Sequence, residues 1–231
     1  MIVGEQKKIE EIWDMVKGFK KVLVLGCNTC IAVCHAGGEK EAEIMASLLR
    51  MKATQECVQM EINHSAVGRQ CEPEYFEPIM DNARSHDLVL SLACGVGVNF
   101  FSALIGNIPV YPGINTEFFG GVPKPGVFTE LCAGCGNCIL HLTGGICPVA
   151  RCSKSLMNGP CGGTNKGKCE VSDEVDCAWY LIVERMKALG TLDKLGEIQP
   201  ARNWSSGWYG GPRRVVVEHV RDLEDQEAKK E

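Results

Sequence analysis

Eight of the chain's fourteen cysteines lie between Leu131 and Cys177, in LCAGCGNCILHLTGGICPVARCSKSLMNGPCGGTNKGKCEVSDEVDC. A soluble chain has three uses for so many thiols in a glycine-rich stretch: disulfides, structural zinc or iron–sulfur clusters. No signal-peptide core is present near the N-terminus, so the expected compartment is the cytoplasm, where structural disulfides are rare. That leaves metal.

The thiols fall into sets by spacing. Cys27, Cys30 and Cys34 form C-x2-C-x3-C just after the buried strand pattern KVLVLGC, and Cys94 closes the apolar run DLVLSLAC. Loops at the carboxyl ends of parallel strands share one edge, where ligands bind. Cys27, Cys30, Cys34 and Cys94 are therefore expected to converge as four ligands of one [4Fe–4S] cluster. The x2-then-x3 order is the reverse of the loop used by radical enzymes that cleave S-adenosylmethionine. Farther on, Cys132, Cys135 and Cys138 form C-x2-C-x2-C, and Cys147 stands directly before Pro148. Ferredoxin-like segments use that run for three corners of a cubane and take the fourth from a Cys-Pro, although the gap here is longer. Cys152, Cys161, Cys169 and Cys177 remain. Together the eight suffice for two cubanes, with the pairing left open, so the whole chain is expected to carry two or three [4Fe–4S] clusters. Cys57 and Cys71 are read as non-ligands.

Zinc is the rival in the C-terminal region. A structural zinc site is usually built from two well-separated C-x2-C knuckles, whereas one triple knuckle followed by widely spaced single cysteines favours iron. Either metal would order a segment too poor in apolar residues to do so itself.

The elements that must position these thiols come next. The fold class expected is α/β: a small N-terminal parallel-sheet domain, then a cysteine-rich, metal-ordered domain ending in a helix and an extended tail. The domains are residues 1–120, 121–198 and 199–231. An amphipathic helix pattern opens the chain, with Ile9, Ile12, Trp13, Val16 and Phe19 on one face. Strands are expected at Lys21–Cys27, Glu56–Ile62, Asp87–Cys94 and Asn107–Ile114. Helices are expected at Glu39–Ala53, with Ala42, Met45, Leu48 and Leu49 inward, and at about Pro73–Ser85. A last helix, Asp173–Gly190, has an acid-rich first turn that includes Cys177 and stops at Gly190. In the tail, Trp204, Trp208 and Tyr209 are candidate partner anchors.

Other functions are set aside. A net charge of −5 without a basic stripe argues against nucleic acid. No apolar run reaches membrane-spanning length. CGVGVNF lacks the third glycine of a dinucleotide loop, and GGTNKGK lacks the preceding strand and terminal hydroxyl of a phosphate loop. His35 and His141 neighbour cysteines but are read as non-ligands. No nucleophile–base pair or paired-carboxylate arrangement stands out, so the chain is expected to lack its own catalytic apparatus.

The stretch CAGCGNCILHLTGGICPVARCSKSLMNGPCGG, continuing through CEVSDEVDCAWYLIVERMKALGTLDKL, resembles the cysteine-rich C-terminal domain associated with methylenetetrahydrofolate reductases. It is most specific at LMNGPCGGTNKGKCE. With GCNTCIAVCHAGG ahead of it, the chain is similar in layout to the small partner subunit of the reductase in acetogenic bacteria. The resemblance implies one-carbon metabolism and a complex in which a flavin-containing methylenetetrahydrofolate reductase subunit reduces folate. This chain would pass it electrons, received from further electron-donating subunits or a ferredoxin. The family domain has also been described as zinc-binding. The alternatives are a zinc-stabilised structural subunit of the same complex and an independent ferredoxin-like carrier.

Overall fold

The computed structural model describes residues 1–205, 207 and 212–217. The chain divides into two compact units, Met1–Cys132 and Ala133–Glu231.

The first unit is α/β. In chain order it holds β1 (Ile2–Gln6), α1 (Ile9–Val16), β2 (Lys21–Cys27), α2 (Cys30–Val33), α3 (Glu39–Gln55), β3 (Glu61–Val67), α4 (Met80–Arg84), β4 (Leu88–Ser91), α5 (Gly95–Ile105), β5 (Val110–Pro112), β6 (Ile114–Lys124) and β7 (Val127–Cys132). A parallel sheet has the order β3-β2-β4-β5. Its centre, β2, is buried from Val22 to Cys27 because both faces are covered, which explains the unbroken apolar run. Val22 and Val24 pack with Ile12, Trp13, Met45 and Leu49 on one face. Leu23 and Leu25 pack with Phe76, Ile79 and Phe101 on the other. Alternate residues of one strand thus serve two cores.

A separate antiparallel sheet, β1-β6-β7, accounts for most of the remainder of this unit. The opening helix pattern therefore does not extend to the N-terminus, since residues 2–6 form a strand paired with residues 114–119. Residues 114–132 supply two strands, β6 and β7. The strand placed at Glu56–Ile62 begins at Glu61 instead, because α3 runs on to Gln55 and Cys57 turns the chain at φ 56°. The helix expected over Pro73–Ser85 is broken into two short 3₁₀ turns, each with a proline near its start, before α4. Leu48 faces outward, while Ala42, Met45, Ala46 and Leu49 are buried.

The second unit contains α6 (Pro148–Arg151), β8 (Lys168–Cys169), β9 (Ser172–Asp176) and α7 (Ala178–Ala188). Its core is small: Trp179, Ile182 and Met186, flanked by Ile146, Cys152, Leu156, Cys177 and Leu195. The acidic residues 173–176 form β9, paired with β8, rather than the first turn of a helix. Acidic side chains suit that exposed edge, and α7 starts only after Cys177. Gly190 ends α7 as expected. It takes φ 66°, its amide bonds Lys187 O, and Thr191 N bonds Met186 O, a Schellman closure that requires the left-handed region.

The packing gives a direct test. Leu49→Ala should cost about 2–5 kcal/mol in urea unfolding, the range for a buried leucine. Leu48→Ala, one position away but exposed, should stay within about 0.5 kcal/mol.

Candidate metal centres

The parallel strands bring one group of thiols to one edge. Cys27 is the last residue of β2 and is buried. Its amide bonds Gly37 O at 2.8 Å, so the loop carrying Cys30 and Cys34 folds straight back onto the strand end. Gly37 must be glycine there, because a Cβ would run into the carbonyl oxygen of Leu92. Cys94 does not close a strand, since β4 ends at Ser91; it is the buried N-cap of α5.

Within the loop the thiols diverge. Cys30 opens α2 and is half-buried. The Cys34 thiol donates to Cys30 O at 3.2 Å and Ile2 O at 3.6 Å, turning toward β1. Burial pushes the Cys34 thiol up from its ordinary pKa, and the side chain packs against the larger core.

Gln70, which sequence inspection passed over, ties the edge together. It is fully buried, donates to Leu25 O at 2.9 Å and Gly26 O at 3.0 Å, and accepts from Ser91 Oγ at 2.7 Å. One side chain thereby links the ends of β2 and β4 from the loop after β3. A buried polar residue surrounded by matched partners was not visible as a pattern, because the partners are backbone groups brought in by the fold.

In the second unit, Cys152, Cys161, Cys169 and Cys177 line one small concavity together with Arg151 and Lys154. All four are free thiols. Cys152 caps the C-terminal end of α6, and Cys177 is the N-cap of α7. Gly163 N donates to Cys161 Sγ at 3.5 Å. Cys169 Sγ lies 3.4 Å from Ser153 Oγ, and that hydrogen bond, with backbone amides, holds the Cys169 thiol below its ordinary pKa. Lys154 also forms an ion pair with Glu170.

The earlier cysteines are spread differently. Cys132 ends β7, Cys138 is exposed, and Cys147 is the half-buried N-cap of α6. Cys135 sits between Gly134 and Gly136, whose φ values of 62° and 79° let the loop turn tightly around it. Arg202 donates to Cys135 Sγ at 2.7 Å and to Asn137 O, and its guanidinium stacks over Trp204 at 4.7 Å. Trp204, expected as a partner anchor, is thus held by its own unit with 41% of its surface exposed. Trp208 and Tyr209 lie outside the described residues.

Among the described residues, no three His, Cys, Asp or Glu side chains are gathered closely enough to hold a metal ion. The donor chemistry at the concavity nevertheless fits a thiophilic centre: four thiols, an amide directed at one sulfur, a hydroxyl that accepts from another, and Arg151 among the lining residues.

A family model described as "Methylene-tetrahydrofolate reductase C terminal" matches residues 111–205. That segment, less than half of the chain, is similar to the methylene-tetrahydrofolate reductase C-terminal family. No curated protein and no solved structure matches the chain. The family segment carries Cys132 through Cys177 and ends just beyond the Arg202–Trp204 pair, while Cys27, Cys30, Cys34, Cys71 and Cys94 precede it. The match links the chain to methylenetetrahydrofolate reductases. Among the described residues no helix is long and apolar enough to cross a membrane.

Gln70→Leu should lower stability by about 1–3 kcal/mol, the cost of leaving buried polar partners unsatisfied. Urea denaturation followed by circular dichroism measures it. The nearby Arg69→Ala, which removes an exposed ion pair with Glu72, should cost less than about 1 kcal/mol.

Proposed function

We propose that this chain is an iron–sulfur electron-transfer subunit of a methylenetetrahydrofolate reductase complex, delivering electrons to the flavin of a separate folate-reducing subunit. The observation that carries the proposal is the concavity of the family segment lined by Cys152, Cys161, Cys169 and Cys177. A [4Fe–4S] cluster, when bound, supplies one-electron transfer at a potential set by charge, hydrogen bonding and exposure.

The remaining chemistry belongs to the chain. Cys152, Cys161, Cys169 and Cys177 would hold one centre. The C-x2-C-x2-C run with Cys147 would hold another, and an N-terminal set built on Cys27 and Cys94 a third. Arg151 offsets thiolate charge at the concavity, where Lys154 is paired with Glu170, and the Gly163 amide and Ser153 hydroxyl fix the orientation of two of its sulfurs. Arg202 does the same for Cys135. The direct partner is the flavoprotein, with a ferredoxin or further electron-donating subunits upstream, in the cytoplasm.

Four thiols in one concavity are also the donor set of a closed structural zinc site. The second reading is therefore a zinc-stabilised structural subunit of the same complex.

Metal analysis of anaerobically isolated protein separates the two. The expected protein is brown, with about eight to twelve irons and matching acid-labile sulfide on a four-per-cubane count. Cys161→Ser should remove about four irons. Colourless protein with stoichiometric zinc and no sulfide would sink the electron-transfer assignment in favour of the scaffold. Co-purification with a flavoprotein is expected; its absence from iron-loaded protein would favour an independent carrier.

A further inference from the structure

Cys71 has no partner in the sequence spacing, yet the fold sets it at the same sheet edge as Cys27 and Cys94. The placement follows from the chain on both sides of it. Asn28 N bonds Val67 O at 2.9 Å, joining the loops that leave β2 and β3. Gln70, immediately before Cys71, is clamped to Gly26 O beside Cys27 and to Ser91 of β4. Gly97, in the first turn of α5, packs so closely on Gln70 that an added Cβ would lie 2.9 Å from the Gln70 Cβ. Cys71 is thus fixed by its neighbour between the end of β2 and the start of α5.

Cys34 turns away: its thiol donates to two backbone carbonyls, one of them in β1.

We propose that Cys71 is a metal ligand of the N-terminal centre, acting with Cys27, Cys94 and Cys30, and that Cys34 is a packing residue rather than a ligand. Each of three adjacent parallel strands, β3, β2 and β4, contributes a thiol from its carboxyl end, and Cys30 adds the fourth from the C-x2-C spacing. The inference rests on the metal-binding reading of this chain and changes which residues carry it. Four soft sulfur donors suit an iron–sulfur cluster or zinc.

The test compares Cys71→Ser, Cys34→Ser and Cys57→Ser in the full-length chain, purified anaerobically and reconstituted with ferrous iron and sulfide. Cys71 and Cys57 are exposed, so their replacement leaves the core intact. Circular dichroism checks this in all three variants. Iron, sulfide and zinc per chain and the electron paramagnetic resonance spectrum after reduction are the readouts. The expected result is loss of about four irons and of one set of cluster signals in Cys71→Ser, with full retention in Cys34→Ser and Cys57→Ser. Retention of full iron by Cys71→Ser, or an equal loss in Cys34→Ser, overturns the assignment. Should the wild-type protein bind zinc without iron, the electron-transfer reading falls while the ligand assignment is judged on zinc: loss of one equivalent in Cys71→Ser upholds it, and no loss overturns it. A wild-type chain that binds neither metal overturns both.

Discussion

All four strands of the parallel sheet run in one direction, so every loop leaving a strand end emerges at the same edge. Three of those strand ends then have to be closed over a shared boundary without leaving backbone groups unsatisfied. The closure is polar and local. Cys27 N reaches Gly37 O, Asn28 N reaches Val67 O, Leu92 N reaches Leu25 O, and Gln70 fills the space that no backbone group can. Thiols placed in these loops inherit fixed positions from the sheet rather than from a core of their own. A redox or structural metal centre gains from that arrangement, because ligands carried on rigid elements lose little freedom on binding.

The second unit solves the same problem by other means. Among the described residues its apolar cluster is Trp179, Ile182 and Met186 with a fringe, too little to order a segment rich in glycine and cysteine. What the residues there share is sulfur: Cys152 and Cys177 pack against the core while also lining the concavity with Cys161 and Cys169. Two sulfurs are therefore anchored by packing, and the other two come from the loop and from β8. If metal occupies the concavity, its bonding energy and the burial of Trp179 and Ile182 act on the same elements, α6 and α7.

Much of the first unit was legible in the sequence. Lys21–Cys27 matched β2 to the residue, because a central parallel strand is apolar on both faces and bounded by a charge and a glycine. β3 was misplaced because Glu56–Ile62 has alternating apolar residues, while Cys57 in a left-handed turn forces α3 to finish first. β1 was hidden beside a genuine amphipathic helix; its partner lies more than a hundred residues away, so no local pattern could show the pairing. The acidic run 173–176 looked like a helix start because acidic residues favour both the first turn of a helix and the exposed edge of a short ribbon. The spacing of cysteines found the sets within one loop but could not find Cys71, whose position depends on a glutamine bonded to residues 21 and 45 positions away.

Charge explains how a chain with a net charge of −5 can gather thiols that act as anions when they ligate metal. Arginines stand beside them in the second unit: Arg151 at the concavity and Arg202 on Cys135. Arg202 is the most constrained of these. Its guanidinium is spanned by a sulfur, a carbonyl and the Trp204 ring, and each contact is consistent with the planar fork of an arginine. A lysine at this position could pair with the sulfur but could not stack on the indole in the same way or reach both acceptors with a rigid fork. The segment after α7 is thus tied to the cysteine loop through an interaction specific to arginine. The family match ends just past that tie, at residue 205.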